Sequence, residues 1–194
     1  MLHATIVAGF GGQGLLFAGH VLAQAAMLEA RTVCWMPSYG PEMRGGTASC
    51  TVIVGDRPIG SPIVDAADSL IALNPPALAK FEPLLVAGGL LVVNASLIDA
   101  LPPRPDVEIV SIPCSAIARA AGDDRLVSIA ALGALIARRP IVGAGSIRTA
   151  LKALAGGHHP DLVEANLIAF DRGHRAALIE AGGLPVAARY AGVG

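Results

Sequence analysis

Ile6-Val7-Ala8-Gly9-Phe10-Gly11-Gly12-Gln13-Gly14 decides how this 194-residue chain is read. Leu2 and Thr5 with Ile6, Val7 and Ala8 make a β-prone apolar run that stops at glycine. Leu15, Leu16, Phe17, Val21, Leu22, Ala25, Ala26 and Leu28 then recur at helical spacing, so the glycines sit where a buried strand turns into a helix. Gly9, Gly11 and Gly14 satisfy G-x-G-x-x-G. The first permits a tight turn, the second lets backbone approach a ligand, and the third brings helix close to sheet. Free N–H groups at the helix start would face an anion. The competing reading is a glycine turn that only packs helix on strand. Strand two discriminates against a nicotinamide site: Thr32 to Met36 ends in Pro37-Ser38-Tyr39, with no acid to accept from ribose hydroxyls.

The rest of the chain reads as a scaffold for that loop. Leu90-Leu91-Val92-Val93-Asn94 is apolar without alternation, as parallel strands buried on both faces are, so helices must cover the sheet. Ser69 to Leu73 is a further strand ending at Asn74-Pro75-Pro76, where prolines open a helix that Gly88-Gly89 is expected to break. Thr47 to Val54 reads as a strand that turns at Gly55-Asp56 into a hairpin. Val107 to Ile112 is the last strand. Helices follow over Ala116–Ala121 and Leu126–Arg138, then from a Ser146 N-cap to Ala155, and from Asp161 to Gly182-Gly183. The expected fold class is a doubly wound, mainly parallel α/β sheet, a Rossmann-like three-layer sandwich with an added β-hairpin.

Composition narrows the function. The chain is 54% hydrophobic and 15% charged, against about 45–50% and about 25% in a typical soluble domain. Too little polar surface is left for a monomer, so partner chains are expected. With 14 basic and 15 acidic residues the net charge is −1, and no basic run appears, which speaks against nucleic acid. Cys34, Cys50 and Cys114 are far apart, with neither a disulfide framework nor a cluster motif. No segment has the length and flanks of a signal peptide or a spanning helix, so a cytoplasmic protein is expected. His158-His159 has no carboxylate at metal-site spacing, and no metal site is assigned. Ser38, Ser49 and Ser96 lack a nucleophile elbow, and no catalytic residue is assigned. Asn94-Ala95-Ser96 matches a glycosylation sequon by chance.

Two loops remain, Gly9–Gly14 and Ser38–Gly46, the second carrying Arg44 beside Gly45 and Gly46. If strands one and two are adjacent and parallel, both loops reach the sheet's carboxyl edge. There Arg44 can offer a fork of donors to a phosphate, or pair with Glu42 or another subunit. Both roles stay open. Candidate ligand-binding residues are Gly9, Gly11, Gly12, Gln13, Gly14, Ser38, Arg44, Gly45 and Gly46.

Gly9-Phe10-Gly11-Gly12-Gln13-Gly14 followed by Ser38-Tyr39-Gly40-Pro41-Glu42-Met43-Arg44-Gly45-Gly46 resembles the gamma subunit of 2-oxoacid:ferredoxin oxidoreductases. Ile59-Gly60-Ser61-Pro62, Ala67-Asp68 and Ala72-Leu73-Asn74-Pro75 extend the likeness over about residues 3 to 180. The resemblance implies a gamma-type domain over residues 1–183, with 184–194 as a C-terminal tail. It also implies alpha, beta and delta-type partner subunits and electron transfer to ferredoxin. Such complexes decarboxylate a 2-oxoacid on thiamine diphosphate, pass electrons through iron–sulfur clusters and release an acyl-CoA. Thiamine diphosphate and the clusters are expected on partner subunits and coenzyme A at this one. In fused relatives the equivalent domain helps bind coenzyme A, with a pair of lysines in the second loop where this chain has Glu42 and Arg44. The second loop is most similar to forms acting on 2-oxoglutarate or branched-chain 2-oxoacids, and indolepyruvate oxidoreductases share much of it; the family resembled includes the pyruvate type. The alternatives are a self-contained NADP-binding oxidoreductase, with Arg44 on a 2′-phosphate, and a purely structural assembly subunit.

Overall fold

The computed structural model describes residues 2–38, 47–155 and 160–181. Six strands form one sheet: β1 (Leu2–Phe10), β2 (Thr32–Ser38), β3 (Thr47–Gly55), β4 (Ala67–Ala72), β5 (Leu85–Asn94) and β6 (Glu108–Ile112). Their order is β2-β3-β1-β4-β5-β6. β1, β4, β5 and β6 run parallel, while β3 pairs antiparallel with both β1 and β2. The helices are α1 (Leu15–Leu28), α2 (Pro75–Phe81), α3 (Cys114–Ala120), α4 (Val127–Arg138), α5 (Ala144–Ala155) and α6 (Pro160–Ala181). This is the expected three-layer α/β fold.

The parallel strands are apolar on both faces because both are covered. On one face, Val7, Val52, Ile71, Val92 and Val110 pack with α1, α3, α4, α5 and α6 into the main core. On the other, Ile6, Ala8, Leu70, Leu91 and Val93 meet Ala77 and Leu78 of α2 and the chain around Ile98 and Val107. The second layer is thin because α2 spans only seven residues.

The thick layer depends on a close approach. A Cβ on Gly133 of α4 would strike the Phe170 carbonyl of α6, and one on Gly173 of α6 would strike the Ala130 carbonyl of α4. The two helix backbones therefore touch, and no larger residue fits at either position.

Three details differ from the expectations. The antiparallel hairpin is β2–β3, with residues 39–46 between its strands, and residues 57–66 after the Gly55-Asp56 turn form no strand. Gly88-Gly89 does not break a helix but lies inside β5, where Gly88 has φ 75° and the register with β4 slips between Ala67 and Ser69. The glycine supplies a bulge. Helix α5 starts at Ala144, so Ser146 is within it, its amide donating to the Gly143 carbonyl at 3.0 Å. The tail and His158-His159 lie outside the described residues. Among the described residues no helix is long and apolar enough to cross a membrane, and no three His, Cys, Asp or Glu cluster as a metal would require.

Candidate functional site

The chain leaves β1 through α1 on the thick face and leaves β4 through α2 on the thin face. The crevice between the carboxyl ends of β1 and β4 is therefore the point where connections diverge, the place where open α/β sheets bind ligands. The loop Gly9–Gly14 forms one wall of it.

That loop is built by its own side chain. Gln13 folds back so that its side-chain Oε1 accepts from the Phe10 backbone amide at 2.7 Å, while its own backbone N–H donates to the Phe10 carbonyl at 3.3 Å. Asn74, fully buried at the end of β4, donates from Nδ2 to the same Gln13 oxygen at 3.4 Å. Asn74 also caps α2, its Oδ1 accepting from the Ala77 amide at 2.9 Å. One carboxamide pair thus ties the first loop to the second crossover.

The glycines divide by role. A Cβ on Gly9 would collide with Gln13 Oε1, so this glycine makes room for the fold-back. Gly14 has φ 72° and is the N-cap of α1. A Cβ there would come within 2.5 Å of the Arg125 carbonyl and 2.9 Å of Ser128 Oγ, so Gly14 lets α1 start against the first turn of α4. This is helix-to-helix contact where helix-to-sheet contact was expected. The close approach of α1 to the sheet belongs to Gly19, whose Cβ would lie 2.5 Å from Cys50 Sγ on β3. Among the described residues nothing lies within 4 Å of a Cβ on Gly11 or Gly12, and Gly12 has φ 93°.

A glycine N-cap leaves the first-turn amides of α1 without side-chain capping, and that turn carries no acidic residue. The start of α4 lies alongside, but the turn that leads into it is capped by Asp123 and carries Asp124. The start of α1 therefore brings the partial positive charge to this edge, which favours an anion. The second wall expected of the site begins at Ser38. In the ladder Ser38 stands opposite Ser49, which stands opposite Ala8. β1 and β2 are thus not neighbours, since β3 separates them, yet they run the same way and end at the same edge, roughly 10 Å apart at two strand spacings. Ser38 is exposed there. Arg44, Gly45 and Gly46 lie outside the described residues.

Further along the edge, buried Asn94 uses its whole amide internally. It donates to the Leu73 carbonyl at 3.3 Å and Ser115 Oγ at 2.9 Å, and accepts from the Ser96 and Ser115 amides at 3.2 Å each. That is a structural role for the sequon asparagine. A groove of about 490 Å³ lies beyond α2, lined by Pro75, Leu78, Leu97 and Leu101, with Glu82 and Asp99 as its charged residues. Glu82 is paired with Arg104 at 2.6 Å, which among the described residues leaves Asp99 as the groove's uncompensated charge and gives a phosphate no partner there.

Sequence reasoning noted Asn74 as a strand end and missed its link to Gln13. Asn followed by two prolines is the pattern of an N-cap with proline at N1, a readable signal. Nothing in sequence announced Arg125 and Ser128 beneath Gly14.

With this geometry in place, comparison with known proteins is informative. The family model described as pyruvate ferredoxin/flavodoxin oxidoreductase matches residues 4–176, and the chain belongs to that family. It is 40% identical over 131 residues to the ketoisovalerate oxidoreductase subunit VorA of Methanothermobacter marburgensis, covering 68% of this chain and 27% of that protein. The chain thus spans about a quarter of that relative. It is 34% identical over 174 residues to the 2-oxoglutarate synthase subunit KorC of Methanocaldococcus jannaschii, covering 88% and 91% of the two chains. Among solved structures, the gamma subunit of a keto/oxoacid ferredoxin oxidoreductase from Geobacter sulfurreducens superposes with a TM-score of 0.81 at 30% identity, covering 92% of this chain and 98% of that one. The 2-oxoglutarate:ferredoxin oxidoreductase of Magnetococcus marinus, solved with 2-oxoglutarate, coenzyme A and succinyl-CoA bound, superposes with a TM-score of 0.82 at 25% identity, covering 92% and 31%. The homologues are subunits of oxidoreductase complexes.

Proposed function

We propose that this chain is the gamma subunit of a cytoplasmic 2-oxoacid:ferredoxin oxidoreductase, with 2-oxoglutarate as the favoured substrate, and that it binds coenzyme A. The observation that carries the coenzyme A reading is the uncapped start of α1 beside the start of α4, with Gly11 and Gly12 open above it. Phosphate groups suit such an edge. The Magnetococcus relative, solved with coenzyme A, supports the choice of ligand. The near full-length match to a 2-oxoglutarate synthase subunit supports the choice of oxoacid.

In this reading the backbone amides of Gly11, Gly12 and Gly14 and the first turn of α1 take the pyrophosphate, the Gln13 amide being engaged by the Phe10 carbonyl. Gln13 keeps the loop in shape from behind, its oxygen already engaged by Phe10 and Asn74. Ser38 stands at the same edge, and Arg44, with Gly45 and Gly46, supplies a bidentate contact to a terminal phosphate that stays charged at any working pH. Alpha, beta and delta-type partners carry the thiamine diphosphate and the iron–sulfur clusters and deliver electrons to ferredoxin. This chain receives the acyl acceptor.

The test is kinetic and uses the assembled complex. Arg44→Ala should raise the KM for coenzyme A by about tenfold, roughly 1.4 kcal/mol of binding, while decarboxylation of the 2-oxoacid survives. Unchanged coenzyme A kinetics with a dissociating complex would make Arg44 an interface residue instead.

A further inference from the structure

The edge of the sheet at β2 carries a surface that the coenzyme A reading does not use. Helix α1 has no Asp, Glu, Lys or Arg in its 14 residues, and β2 has none in its seven. Even so, Met27 is 61% and Leu28 50% exposed on α1. Phe17, His20, Gln24 and Met27 fall at helical spacing on the outward arc of α1, each partly or fully exposed. His20 stacks on Trp35 of β2, ring centroids 5.2 Å apart and 13° from parallel, which joins helix and strand into one surface. The charges that flank it are already engaged within the chain. Glu29 accepts from the Gly143 amide at 2.7 Å, and Arg31 pairs with Asp56 at 2.7 Å.

Beside this surface runs the edge of β2, the outermost strand of the sheet, which no described strand other than β3 pairs. An exposed strand edge presents unpaired backbone groups that recruit another strand. Natural edges are blunted by lysine, inward charge or proline. Here only Pro37 serves, near the end of the strand, leaving Thr32 to Met36 free to pair.

We propose that this face is a two-fold interface with a second copy of the same chain, β2 pairing antiparallel with its counterpart. Two features select a copy over another partner. A surface that meets itself must be its own complement, and an uncharged one meets its image with no like-charge repulsion, whereas a charged partner would find nothing here to neutralise it. An isologous contact also supplies the missing strand automatically, since the copy brings the same open edge. With β2 paired, the two β3 strands lie three strand spacings apart, about 14 Å. The α1 helices that cover them then flank the axis on the same side, with Phe17, Met27 and the His20–Trp35 stack between them.

The test uses the full chain in sedimentation or light scattering. Wild type should be a dimer. Gln24→Glu and Gln24→Lys should each raise the dimer Kd by at least about tenfold, because each places like charges across the axis. Mixing the two variants should restore the dimer as a mixed pair. Unaltered melting temperatures would show that both variants fold, and amide exchange over Thr32 to Met36 should speed up on dilution of the wild type. A monomeric wild type overturns the proposal, as do variants that leave the mass unchanged. So does a result in which both variants release the other subunits of the complex and mixing restores nothing, for then a different chain occupies this face.

Discussion

Asn74 Nδ2 donates to Gln13 Oε1 at 3.4 Å, so the side chain that shapes the glycine loop is held by the residue that starts α2 on the opposite face of the sheet. Asn74→Ala removes both this bond and the α2 cap. Loss of a cap costs about 1 kcal/mol, and the variant should lose about 1–2 kcal/mol in urea unfolding. If the loop holds coenzyme A as proposed, the KM for coenzyme A should rise while decarboxylation is spared, because the loop loses its brace and not its amides. Wild-type coenzyme A kinetics in this variant would show that the brace is purely structural.

The glycines of the loop should separate binding from folding. Gly11 has no described neighbour within 4 Å of a Cβ and no positive φ, so Gly11→Val should melt near the wild-type temperature, and on the proposed coenzyme A reading it should weaken coenzyme A binding, since the branched side chain would occupy the ligand's approach. Gly14→Ala meets the Arg125 carbonyl at 2.5 Å and must hold φ 72°, so it should lose more than about 2 kcal/mol. Calorimetry beside coenzyme A titration reads both, and equal losses of stability in the two variants would contradict the division.

Gly133→Ala and Gly173→Ala push α4 and α6 apart at the point where their backbones touch. Each should cost about 1–3 kcal/mol by overpacking. The site is remote, so loss of the complex's activity should follow loss of folded chain on heating. Chemical unfolding of the single variants checks this.

Thiol reactivity should be selective. Cys50 is fully buried, donates to the Leu15 carbonyl at 3.4 Å and is pushed up to about 11 by burial. Cys114 is fully buried and pushed higher still by the same cause. Cys34 is half-buried on β2. Since the thiolate is the reactive form, a maleimide should label the native protein at Cys34 and reach all three cysteines only in denaturant, as mass spectrometry will read.

His3 sets an acid limit on stability. It is buried, with Nε2 3.0 Å from Ser69 Oγ, and burial holds its imidazole below the ordinary value, with Asp68 raising it and Arg139 lowering it. The fold thus favours the neutral ring, and below about pH 6.5 the unfolded chain binds more protons than the folded one. This stabilisation is full above that pH and is lost as pH falls through the depressed folded value. His174, also lowered by burial, acts in the same direction. Melting temperatures taken from neutral into acid should fall less steeply for His3→Gln than for the wild type.

The legible part of this protein was local. Continuous apolar runs at Leu2–Ala8 and Leu90–Val93 require cover on both faces, and the glycines at 9, 11 and 14 between a strand and a helix mark a loop whatever surrounds them. Those patterns alone gave the layered α/β class, most element boundaries and the position of the candidate loop. Where local signals have two meanings, sequence went astray. Gly88-Gly89 punctuates a chain equally as a helix end or a strand bulge, and Ser146 caps well but also sits in a helix that Gly143 already started.

Everything that depends on which segments meet was decided by tertiary structure. That β3 inserts between β1 and β2, that Gln13 faces Asn74 across 61 positions, and that Gly14 yields to Arg125 and Ser128 all concern partners distant in the chain. A residue's own chemistry carries no record of its long-range neighbour, because spacing along the chain encodes periodicity within one element only. The neighbour is chosen when the apolar faces of all elements are buried together, and that choice turned a glycine-rich turn into a braced loop between two helix N-termini.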